Sequence, residues 1–98
     1  MSAVILGGNE CMYRRYMDLC QEYNFDAKVF TKPTGNLRRK LGTPELMVFF
    51  TNTMSHKMVE CAVSELKGTG TTIVRCHSSS MSALRNILDS YVKENANV

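Results

Sequence analysis

The chain has 98 residues, a formal net charge of +3 at pH 7, and 44% hydrophobic against 21% charged residues. That length suits one domain with its own core; the balance excludes disorder along the body of the chain, and so small a charge excludes a dedicated nucleic-acid-binding tail. No apolar run approaches the ~20 residues a membrane helix needs, and Met1–Leu6 leads into glycines without the regions of a signal peptide, so a cytoplasmic protein is expected.

The first apolar run is Ala3-Val4-Ile5-Leu6, closed by Gly7-Gly8. Consecutive apolar side chains point to both faces of a strand, which predicts a sheet covered on both sides. Asn9 can cap the next helix. In it Met12, Tyr16, Leu19, Cys20 and Tyr23 recur at helical spacing, and Asn24 is the stop. Ala27–Phe30 reads as a second, half-exposed strand at an edge. Lys32-Pro33-Thr34-Gly35 reads as a turn, and Asn36–Leu41 as one or two helical turns ended by Gly42.

Leu46–Phe50, five apolar residues after Pro44, is the strongest strand signal, and Thr51-Asn52-Thr53 ends it. A helix follows with Met58, Val59, Ala62 and Leu66 on one face and a stop near Gly68. Thr71–Val74 is the fourth strand, leading into Arg75-Cys76-His77. Ser78-Ser79-Ser80 can cap the last helix, whose inner face is Met81, Leu84, Ile87, Leu88 and Tyr91. The domain is expected over residues 1–94, with a flexible tail over 95–98.

Strands alternating with helices call for right-handed parallel crossovers. The expected fold is α/β: a three-layer, Rossmann-like or flavodoxin-like half with a four-stranded parallel sheet in order 2-1-3-4. Ligands of such sheets bind outside the carboxyl ends of the strands, at the switch point, here between strands 1 and 3. The loops arriving on that rim bring Gly7, Gly8, Asn9, Thr51, Thr53, Ser55, His56, Ser79 and Ser80, the expected ligand-binding residues. Glycines allow close backbone approach, and helix N-termini favour an anion. A second reading of the same residues is purely structural: Gly-Gly makes a tight turn and the hydroxyl residues cap helices. The loop is neither G-x-G-x-x-G nor a Walker-type motif.

The cysteines Cys11, Cys20, Cys61 and Cys76 show no C-x-x-C pair or zinc-ribbon spacing and read as free thiols. Cys11, His56, Cys76 and His77 would make a soft metal site only if they converged; no resident metal is assigned. His56 and His77 are of the type that acts as acid or base near neutral pH, or binds a metal or haem iron. Glu10 is the only carboxylate expected on the rim, while Glu60, Glu65 and Asp89 read as surface charges. The basic residues Arg38, Arg39 and Lys40, with Lys32, form a local positive patch without an assigned role.

The chain resembles the small bacterial family known as domain of unknown function 2325. The resemblance rests on V-I-L-G-G-N-E at 4–10, M-V-F-F-T-N-T-M-S-H at 47–56 and H-S-S-S-M-S-A-L at 77–84. It implies a Rossmann-like domain without an assigned reaction and points to Gly7, Gly8, Thr51, Ser55, His56 and Ser80. The leading functional expectation is a sensing or ligand-binding module, forming a homodimer. Its ligand would be a small anion, a nucleotide fragment or a metal-containing cofactor, which the sequence leaves unidentified. The alternatives are an enzyme component using His56 or Cys11 in phosphoryl transfer or thiol chemistry, and a dimeric interaction domain. Neither a membrane nor a nucleic-acid partner is expected.

Overall fold

The computed structural model describes residues 1–31, 44–66, 68 and 70–96. Strand β1 (Ser2–Gly7) is followed by a 3-10 turn at Glu10–Met12 and helix α1 (Tyr13–Glu22). Next come β2 (Asp26–Phe30) and β3 (Leu46–Phe50). A second 3-10 turn, Thr51–Thr53, leads to α2 (His56–Leu66), β4 (Thr72–Cys76) and α3 (Met81–Ala96). All four strands are parallel, in the order β2-β1-β3-β4. The α/β class and the strand order are those the alternating pattern predicts.

The central pair explains the layering. Every residue of β3 is fully buried, as are Ala3, Ile5 and Leu6 of β1, with Val4 almost so. Successive side chains alternate between faces. Ala3, Ile5, Leu46, Val48 and Phe50 pack under α1 and α3, against Tyr16, Leu19, Cys20, Leu84 and Leu88. Val4, Leu6, Met47 and Phe49 face the other way, against Ala62, Val59 and Val63 of α2. Helices α1 and α3 are also joined across their surfaces, where the Tyr23 hydroxyl donates to Asp89 Oδ1 at 2.9 Å and Arg85 stands 3.4 Å from Glu22.

Element boundaries moved where local signals were weak. The fourth strand runs through Arg75 and Cys76, because its ladder with β3 continues to the Phe50–Cys76 pair. A charged residue in an edge strand leaves no apolar alternation to read. Helix α1 starts late, after the 3-10 turn that Asn9 caps by accepting the Cys11 N–H at 2.9 Å. Asn24 ends it in the left-handed region, at φ 64°, which asparagine tolerates better than most residues. Helix α3 runs through Asn95 and Ala96, two residues into the stretch expected as tail. The turn at 32–35, the helical turns at 36–41, Gly42 and the basic residues Arg38, Arg39 and Lys40 lie outside the described residues. No helix among the described residues is long and apolar enough to cross a membrane.

Cys20 sits in the α1-side core with no exposed surface, and burial pushes its thiol up from 9.0 to about 11. Burial disfavours the thiolate, so the folded chain keeps a proton that the unfolded chain loses first. That contribution to stability is present in full below about pH 9 and is lost as pH rises through about 11. Denaturant titrations across this window should therefore show a shallower alkaline decline in Cys20→Ala than in the natural chain. Equal slopes would show that the thiol is not linked to folding.

Candidate functional site

The strands deliver three loops to one rim, the carboxyl edge of the sheet, with the switch point between β1 and β3 at its centre. These loops bind one another. Thr53 Oγ1 accepts the Gly8 N–H at 2.6 Å and donates to the Phe50 carbonyl at 3.0 Å. Thr51 Oγ1 donates to the Cys76 carbonyl at 3.4 Å, joining the β3 and β4 loops. The hydroxyl of Tyr16 donates to the Ser79 carbonyl at 2.6 Å and accepts the Asn9 N–H at 3.3 Å. One tyrosine thus ties the start of the first loop to the last.

The same contacts decide what the glycines do. Gly7 and Gly8 are buried at φ 87° and 91°, a region other residues avoid. A Cβ on Gly7 would stand 2.8 Å from Met54 Cγ and Thr53 Oγ1 and 2.9 Å from the Phe50 carbonyl oxygen. On Gly8 it would stand 2.8 Å from Tyr16 Cε2. The close approach that the glycine pair permits is therefore taken up by the chain's own Thr53, Met54 and Tyr16.

The remaining residues divide by role. Ser55 Oγ accepts the Met58 N–H at 3.2 Å and Ser80 Oγ accepts the Ala83 N–H at 3.2 Å, so these serines cap α2 and α3. Ser79 contributes its carbonyl to Tyr16. Asn9, Thr53, Ser55, His56 and Ser80 all lie on the exposed side of the rim. His56 Nε2 stands 3.0 Å from Glu60 Oε1, one helical turn on and in the open, with 89% of the His56 side chain exposed. Such a pair is worth little in solvent.

His77 is exposed, as is Cys11, whereas the half-buried Cys76 thiol donates to the Ser78 carbonyl at 3.1 Å. Among the described residues no three His, Cys, Asp or Glu side chains stand close enough to hold a metal, so Cys11, His56, Cys76 and His77 do not assemble into one site.

The first turns of α2 and α3 carry no acidic side chain. Their N-terminal partial positive charge is left without a carboxylate on the same turn. Tyr16 is the residue that sequence reasoning placed only in the core. Its signal was available: a tyrosine at a buried helix position needs a partner for its hydroxyl, and the first turns of a helix that follows β1 lie beside the rim.

The model of a family described as uncharacterized protein conserved in bacteria (DUF2325) matches residues 2–91. No curated protein and no solved structure matches the chain significantly.

Proposed function

The chain belongs to this uncharacterised bacterial family, and we propose that it is a non-catalytic binding or sensing module for a small anion at the carboxyl rim. The observation that supports this reading is that α2 and α3 both begin on this rim with no acidic residue in their first turns, beside loops already fixed to one another. Backbone N–H groups at helix starts attract a phosphate or carboxylate, and a fixed loop frame lowers the entropy lost on binding. Gly7, Gly8, Thr51 and Thr53 hold the frame in this reading. Asn9, Ser55, His56, Ser79 and Ser80 line the side a ligand reaches.

A binding role is favoured over catalysis because His56 pairs with Glu60 on its own helix, with no nucleophile hydrogen-bonded to it among the described residues. Among the anions, a nucleotide fragment would be held by its phosphate. A metal-containing cofactor is the less favoured ligand, since no set of side chains gathers to hold the metal among the described residues.

A ligand that binds only the folded chain at a hundred times its Kd adds about 2.7 kcal/mol of stability. In a domain of this size that raises Tm by more than about 10 °C. Thermal melts of the purified chain against phosphate, nucleotides, divalent metals and haem should show such a rise with at least one phosphate-bearing compound. Flat melts across the whole panel would end the binding-module reading.

A further inference from the structure

The sheet has two edges, and they are built differently. Each edge strand exposes two residues and lacks an outer strand among the described residues. β2, however, exposes the opposite charges Asp26 and Lys28, whereas β4 exposes Thr72 and the cation Arg75 between half-buried Ile73, Val74 and Cys76. Unpaired backbone donors and acceptors on a strand edge are a template for another strand. Beside β4 lie two open grooves, one on each face of the sheet. The groove toward α3, about 290 Å³, is lined by Thr72, Val74, Ile87 and Tyr91. The groove toward α2, about 420 Å³, is lined by Val59, Val63, Glu60 and Arg75.

An added strand places successive side chains on alternate faces, so it would fill both grooves at once. β4 itself has the sequence to do so. Thr72, Val74 and Cys76 lie on the α3 face, and Ile73 and Arg75 on the α2 face.

We propose that β4 pairs antiparallel with β4 of a second copy of this chain, joining two sheets into one of eight strands about a two-fold axis at Val74. Such an axis, perpendicular to the sheet, keeps each face with its like. Val74 then meets its own counterpart over the apolar groove, and Arg75 of each copy enters the partner's α2-side groove, where Glu60 is. Arg75 has no ion-pairing partner among the described residues of its own chain. Glu60 is 69% exposed beside His56, so its carboxylate can also accept a guanidinium. The contact is isologous, and the charges complement each other twice. It does not rest on the anion reading of the rim, although His56 borders both the rim and the α2-side groove.

Sedimentation of the full chain at micromolar concentration should give twice the chain mass, with dissociation on dilution. Arg75→Glu should weaken the dimer about tenfold or more, and Arg75→Glu combined with Glu60→Arg should restore most of that loss. Both positions are exposed, so the variants should keep the natural circular dichroism. Amide exchange along Thr72–Cys76 should slow as concentration rises. A monomer throughout the micromolar range would overturn the proposal. So would a dimer that ignores Arg75→Glu or whose concentration-dependent protection falls on β2 or the rim.

Discussion

Gly7→Ala should destabilise the fold by about 3 kcal/mol or more, because it combines backbone strain with a collision that cannot relax cheaply. Gly7 lies at φ 87°, and of the three atoms a Cβ would meet within 2.9 Å, one is the backbone carbonyl oxygen of Phe50. That carbonyl belongs to the most buried strand of the sheet and also accepts from Thr53. Moving Thr53 aside would in turn strip Gly8 of its acceptor. Gly70→Ala is the control, since Gly70 has a similar φ of 80° with nothing within 4 Å of the Cβ. It should lose about 1 kcal/mol, the strain alone. In urea titrations the two midpoints should therefore separate clearly. If the two variants lose equal stability, the loop around Gly7 is loose and the rim is not the fixed frame described above.

The sheet was legible because its signals are redundant. Leu46–Phe50 and Ala3–Leu6 are apolar throughout, and both stand before turn residues. Given four strands separated by helical stretches, the handedness rule leaves few arrangements, and the order 2-1-3-4 places the two most apolar strands in the middle. The edges were harder. β2 and β4 carry Lys28 and Arg75, and their lengths are set by the ladders they complete rather than by their own composition.

The rim was legible as a location but not as an arrangement. Chain order alone brings Gly7, Thr51 and Ser79 to one end of the sheet. Periodicity tells which face a side chain takes, yet it does not tell what a hydroxyl meets beyond that face. Thr53 and Ser80 look alike in sequence, each a small hydroxyl residue following a strand. Thr53 turns back to the glycine loop across 45 residues of chain, while Ser80 caps its own helix. The difference depends on where the β1 loop ends in space, which no local pattern records.

Tyr16 provides the second large test, because ring and hydroxyl have separable duties. The ring is fully buried, lies 5.3 Å from that of Phe50 between centroids, and covers Gly8. Tyr16→Ala should cost about 3–5 kcal/mol, the range for removing a buried aromatic side chain. Tyr16→Phe keeps the ring and removes only the oxygen shared by Asn9 and Ser79. Its cost should be about 1–3 kcal/mol, since the Ser79 carbonyl and the Asn9 N–H lose a partner. The location of the loss matters more than its size. If the hydroxyl fixes the rim, amide exchange in Tyr16→Phe should quicken at Asn9 and Ser78–Ser80 while β1 and β3 stay protected. Anion affinity should fall with it, because a loosened frame must be ordered again on binding. A uniform rise in exchange would make the hydroxyl a general contributor to the fold, and the three loops would then hold together by their packing.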